Sequence, residues 1–376
     1  MKALAGSLIV AGLPGGEITE ADRSLLRDLR PAGLVLYQRN ARSAGQLARL
    51  CRDLAGLAER AGDPPPTAEF GGAPPLLLLD HEGGRVNRLP VAFTHFPPQG
   101  ALGAINDPDL TEAVFRASAL EVAALGVNVH LSPVLDLWTN PENKVIGDRA
   151  FGSDPERAAR HGKAAARGIR SAGLLPVGKH FPGHGDTVAD SHVDLPFALA
   201  DRETLKRREL FPFRRLIEDG LPALMSAHIV VPALDPDRPA TLSPKVIGEI
   251  LRGEMGFGGL VLTDDMEMEA IAGRYNPGEA AVLSVEAGCD LLLFCHRADR
   301  QAAARDALAE AVQSGRIAEE RLRESSERIR RVRESLKGRP PVGLDVIGCA
   351  AHRELLEEVR RRARKAGYPL RREGAT

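Results

Sequence analysis

The chain is expected to fold in the α/β class as a (β/α)8 TIM barrel, a closed parallel sheet ringed by helices. Three observations predict it. Eight short apolar runs recur along the 376 residues, each followed by a polar cluster and then a stretch of 3.6-residue periodicity. The runs are continuously apolar, as strands buried on both faces must be. The unusual polar residues fall at the C-terminal end of nearly every run, where a barrel gathers its ligands; a doubly wound sheet would concentrate them at one switch point.

The strand candidates are residues 8–13, 33–37, 76–79, 127–131, 176–178, 223–226, 260–263 and 291–294. The apolar N-terminal stretch 3–11 reads as part of the first buried strand. It is too short for a signal peptide, and Leu13-Pro14-Gly15-Gly16 leads into a helix start rather than a cleavage site. Thr19-Glu20-Ala21-Asp22 opens that helix in the manner of a capping box. Further helices are expected over 44–61, 109–125, 155–172, 202–219, 244–252, 278–287 and 300–313. The Pro-rich segment 63–75 is a loop before the third strand. An amphipathic, charge-dense helix over 317–336 ends at Lys337-Gly338-Arg339-Pro340-Pro341, and another over 351–366 leads into a basic tail. The expected organisation is one catalytic barrel, 1–336, with a C-terminal helical extension, 337–376, covering it.

Composition narrows the function. Lys+Arg 50 against Asp+Glu 51 gives no electrostatic reason for nucleic acid or an anionic membrane as partner, and 4% aromatics supply no stacking platform for single strands. No run reaches the roughly 18 apolar residues of a membrane span. Cys51, Cys289, Cys295 and Cys349 lack disulfide spacing and read as reduced, mostly buried thiols of a cytoplasmic protein. The expected partner is a small molecule, and the expected state a monomer.

The polar strand ends are Arg39 and Asn40, Asp80 and Glu82, His130 and Ser132, Lys179 and His180, Ser226 and His228, Asp264 and Asp265, and His296. The densest segment is the loop running from Lys179 to His192. Its three His and two Asp admit a metal site, yet the ligand types alternate with glycines on an extended loop and no helix holds a fixed pair, so no metal is expected. The glycines precede no helix, which argues against a phosphate cradle. General acid/base chemistry fits better. Asp190 and His192 are two apart and on an extended segment point the same way. A carboxylate beside an imidazole fixes its tautomer and raises its pKa, which suits a proton donor near neutrality. The glycines would let the loop close over a substrate. Asp264 interrupts an apolar strand at its catalytic end and is a candidate nucleophile, while Asp265 is expected to cap the following turn. Asp80, Arg88, Arg149, Lys179 and His180 offer the carboxylate and cations that grip vicinal hydroxyls.

Five runs, Asp80-His81-Glu82-Gly83-Gly84-Arg85-Val86-Asn87-Arg88-Leu89, Ile146-Gly147-Asp148-Arg149-Ala150-Phe151-Gly152, the loop from Lys179 to His192, Met225-Ser226-Ala227-His228 and Thr263-Asp264-Asp265, together resemble the bacterial β-N-acetylglucosaminidases of glycoside hydrolase family 3. The resemblance runs in order from about Leu8 to Leu336, and its Asp-x-His marks the N-acetylglucosaminidase branch. It implies that Asp264 is the nucleophile and His192, paired with Asp190, the general acid/base. It also implies that Asp80, Arg88, Arg149, Lys179 and His180 bind the terminal N-acetylglucosamine, without cofactor. It further implies a cytoplasmic role in peptidoglycan recycling, on muropeptides carrying anhydro-N-acetylmuramic acid. His81 and Asn87 depart from the pattern, where Gln is the more usual residue. Two other functions fit the same residues: a glycoside phosphorylase, because a neutral His base repels phosphate less than a carboxylate does, and a non-catalytic glycan-binding barrel.

Overall fold

The computed structural model describes residues 1–57, 74–187 and 195–370. Among these, eight parallel strands close into a barrel: β1 (Ile9–Gly12), β2 (Gly33–Leu36), β3 (Leu76–Leu79), β4 (Val129–His130), β5 (Leu175–Phe181), β6 (Ala223–Ser226), β7 (Leu260–Asp265) and β8 (Leu291–Phe294). Each strand pairs with its sequence neighbours, and β8 closes on β1 with Val10 opposite Leu293. Buried aliphatic residues occupy both faces of the strands, which is why the runs are continuous rather than alternating. All eight expected strands are present, β5 and β7 extending through Lys179-His180-Phe181 and Asp264-Asp265. The register slips between Gly178 and Phe181 and again beside Asp265, bulges of the kind that re-aim side chains at a barrel rim.

Several expectations need correcting. The N-terminal stretch begins not as strand but as a helix, Lys2–Gly6, packed on the helices Ala298–Gln313 and Glu319–Ser335; its Ala and Leu are strong helix formers. The single helix expected over 202–219 is two, Arg202–Arg207 and Leu210–Glu218. Pro212 explains the break, since its ring would meet the carbonyl four residues back, at Arg208. A hairpin, His81–Gly83 with Val86–Asn87, and a helix, Gln99–Ile105, follow β3 unforeseen. The capping box at Thr19 is present, with Asp22 in the reciprocal position. The helix expected over 44–61 is seen as Ala44–Leu57, and most of the segment 63–75 lies outside the described residues.

The C-terminal helix Ala350–Lys365 packs on Gln99–Ile105 and Pro108–Ala123, burying Leu356, Val359 and Ala363. It is keyed there by Glu121, a buried carboxylate that accepts from Thr94, from the Gly348 N–H and from His352 Nδ1 at 2.7 Å. Cys51, Cys289 and Cys295 are buried free thiols. No helix among the described residues is long and apolar enough to cross a membrane.

Candidate active site

The C-terminal ends of β3, β5 and β7 bring a connected set of charges to the barrel mouth. Lys179 Nζ lies 2.5 Å from Asp80 and 2.6 Å from Glu82. Glu82 in turn accepts from Arg149 Nε and Nη2, both at 2.8 Å, a bidentate pairing that fixes the guanidinium plane. The Glu82 and Lys179 side chains are almost wholly enclosed, whereas Asp80 keeps 19% of its side chain open. Burial alone would raise the Glu82 carboxyl, but Arg149 and Lys179 outweigh it and hold it well below the usual carboxylate range. Lys179 is held charged by the same contacts: burial would lower it, and Asp80 and Glu82 raise it above its ordinary value.

His180 points from β5 toward this cluster. Its Nδ1 is 2.7 Å from Asp136, and its Nε2 is 3.4 Å from Arg149 Nη2. Asp264 sits at the end of β7, its Oδ1 accepting from the Asp265 N–H at 2.8 Å. Burial would raise its carboxyl, yet His180, His228, that N–H and Lys179 bring it below its ordinary value, so it stands ionised. Asp265 caps the next turn as expected, accepting from the Glu267 N–H, and pairs with His296 at 3.0 Å. Arg88 lies beside Tyr37, the residue that follows β2, its guanidinium 5.9 Å from that ring centre.

Of the sequence-derived site residues, Asp80, Lys179, His180 and Arg149 therefore form one connected network with Asp264 electrostatically coupled to it, while Arg88 stands on Tyr37. Asp190 and His192 lie outside the described residues. Arg39 and Asn40, at the end of β2, brace the rim, Arg39 on the Leu13 and Cys295 carbonyls and on His296 Nδ1, and Asn40 on the Leu13 and Gly15 carbonyls. His228 is wedged between Thr241 and the Asp265 carbonyl, and burial lowers its pKa. His130 is enclosed beneath the site, pushed down to about 3 by burial. His81 and Asn87 are register partners across the hairpin, so the two departures from the expected pattern lie opposite one another.

Two residues escaped the sequence reading. Glu82 stood among the strand-end acids but was not assigned to the site; only its distances reveal it as the hub between two cations. Asp136 went unnoticed, although Val134-Leu135-Asp136-Leu137 breaks an apolar run just as Leu262-Thr263-Asp264 does. Two glycines of the loop have little room around them. A Cβ on Gly185 would lie 1.7 Å from the Leu137 carbonyl oxygen, and Gly183, at φ +123°, abuts Glu209. They permit close packing of the loop's first half, while Asp190 and His192, the part expected to close over a substrate, lie outside the described residues. That half is further tied down by Asn143 to the His184 carbonyl and by Asp186 to Thr139 and Arg208.

Residues 6–332 match the model of the glycosyl hydrolase family 3 N-terminal domain. A β-hexosaminidase of Alkalilimnicola ehrlichii is 40% identical over 295 residues, 77% of this chain and 80% of that protein. A glycoside hydrolase family 3 β-N-acetylglucosaminidase structure from Paenibacillus sp. superposes with TM-score 0.87 at 40% identity, covering 96% of this chain and 68% of that one. NagZ from Neisseria gonorrhoeae, solved in complex with N-trifluoroacetyl-D-glucosamine, superposes with TM-score 0.76 at 29% identity, covering 95% of this chain and 98% of that one.

Proposed function

The chain belongs to glycosyl hydrolase family 3, and on that premise we propose that it is a retaining exo-β-N-acetylglucosaminidase. The observation that carries the reading is Asp264: one strand-held carboxylate, held below its ordinary value by His180, His228 and Lys179, of which His180 and Lys179 are suited to hold a sugar. The names of the relatives support the sugar, since a β-hexosaminidase and a β-N-acetylglucosaminidase are each 40% identical to it over the aligned residues.

In the proposed reaction Asp264 attacks the anomeric carbon while His192, oriented by Asp190, protonates the leaving oxygen. A glycosyl-enzyme forms; His192 then takes a proton from water, which displaces Asp264 with net retention. Asp80, Arg88, Arg149, Lys179 and His180 hold the terminal sugar through charge-assisted hydrogen bonds. The roles of Asp190 and His192 rest on the motif. The natural substrate proposed is a muropeptide ending in N-acetylglucosamine and carrying anhydro-N-acetylmuramic acid, hydrolysed in the cytoplasm.

Matched aryl β-N-acetylglucosaminide and β-glucoside, each assayed with and without phosphate, test this reading. The expected result is release of free N-acetylglucosamine, far faster than glucose and indifferent to phosphate. Phosphate-dependent turnover to a sugar 1-phosphate would replace the hydrolase by a phosphorylase, and failure to cleave either glycoside would leave only a binding barrel.

A further inference from the structure

We infer that Asp136 is a positioning residue of this site: it keeps the ring proton of His180 on Nδ1 and so leaves Nε2 a hydrogen-bond acceptor that helps hold the Arg149 guanidinium in place for the bound sugar. The inference deepens the proposed function, and its sugar-facing half rests on that reading.

Asp136 follows β4 on the loop toward Trp138, and only 1% of it is exposed. Its oxygens converge on β5 and the start of the loop. The His180 backbone N–H lies 3.2 Å from both oxygens, His180 Nδ1 lies 2.7 Å from Oδ2, and the His184 N–H lies 2.6 Å from Oδ1. An ionised carboxylate can only accept, so the ring nitrogen against it carries a hydrogen. The opposite ring nitrogen has the opposite constraint. Arg149 Nη2 stands 3.4 Å from His180 Nε2, and a guanidinium can only donate, so Nε2 turns its single lone pair toward Arg149. Arg149 cannot rotate away, because Glu82 holds it at two points. Burial would raise the Asp136 carboxyl, but the His180 and His184 rings and the N–H donors hold it below its ordinary value, which keeps it an acceptor.

The consequence lies in what the sugar meets. Lys179, Arg149 and Arg88 are donors without acceptor capacity. His180 Nε2, kept an acceptor, adds a third point to the two at which Glu82 holds Arg149, and so fixes the direction in which that donor meets a sugar hydroxyl. Reversing the tautomer would put another N–H against Arg149 and remove the acceptor.

Nitrogen-15 spectra of histidine-labelled enzyme, with His180 assigned by its loss in His180→Asn, test the first half without substrate. The expected result is a protonated Nδ1 and a bare Nε2 at pH 7, and Asp136→Asn, whose amide can donate to Nδ1, moves the proton to Nε2. On an aryl β-N-acetylglucosaminide, Asp136→Asn is expected to lower kcat/KM by about 10–100-fold, as loss of a group orienting a site histidine does. In the His180→Asn background the same change is expected to have an effect under about twofold, because the residue it acts through is gone. A wild-type His180 protonated on Nε2, alone or with Nδ1, would overturn the assignment, and this measurement stands even if Asp136→Asn fails to fold. Equal losses in both backgrounds would overturn it too. A bare Nε2 in a protein that cleaves no N-acetylglucosaminide would instead sink the proposed activity and leave the tautomer assignment intact.

Discussion

Glu82→Gln isolates the hub of the charge network. The substitution preserves shape but removes the charge that Arg149 and Lys179 share, and it turns an amide NH2 toward donors that need an acceptor. Breaking a buried pair by neutralising one member costs about 3–5 kcal/mol, because the remaining charge is left uncompensated. At about 2.1 cal/mol/K per residue, the unfolding entropy of 376 residues is roughly 0.8 kcal/mol/K, so Tm falls by roughly 4–6 °C. The pH dependence has a fixed sign. The folded pKa of Glu82 lies below its ordinary 4.5, so the stability its charge contributes is fully present above that value and declines as pH falls beneath it. The gap between wild type and variant, followed by calorimetry, is therefore flat from about pH 5 to 8 and narrows in acid. A Tm change under about 1 °C at pH 7, or a gap that widens in acid, would refute the reasoning.

Other outcomes follow from the same structure. His192→Ala is expected to damage substrates with poor leaving groups far more than activated aryl glycosides, since only the former need a proton; equal losses on both would remove His192 from the acid role. Truncation after Lys337 uncovers Leu356 and Val359 contacts and strips His352 and Gly348 from Glu121, so Tm is expected to drop by several degrees; an unchanged calorimetric transition would contradict the packing described. Because Asp264 is held below its ordinary 3.8, its acid limb in the pH profile of kcat/KM is expected below that value, rate being lost as pH falls through it. An acid limb above pH 5 that persists in His192→Gln would show that another group controls it.

The barrel was legible because a parallel strand enclosed on both faces writes an uninterrupted apolar run, and a catalytic residue at its end writes a polar interruption. Leu262-Thr263-Asp264 is the clearest case. What escaped notice depends on distances between segments far apart in the chain. Glu82 and Arg149 are 67 residues apart, and His180 and Asp136 are 44 apart; nothing in their spacing couples them. The hairpin after β3 has a strand of only two residues, too short for a period to show. Pro212, three positions into its helix, announced the break at Arg208, but the apolar periodicity around it masked the signal. The close approach of Gly183 to Glu209 and of Gly185 to Leu137 was likewise not legible, because composition does not say what a glycine packs against.

The central claim is that Asp264 forms a covalent bond to N-acetylglucosamine. A 5-fluorinated β-N-acetylglucosaminyl fluoride slows departure from such an intermediate, because the electron-withdrawing fluorine disfavours its positively charged transition state. Proteolysis and mass spectrometry of the quenched enzyme should then find one sugar on the peptide containing Asp264, and none on that peptide in Asp264→Asn. A sugar attached to a different carboxylate, or none on an enzyme that still turns the substrate over, would contradict the account.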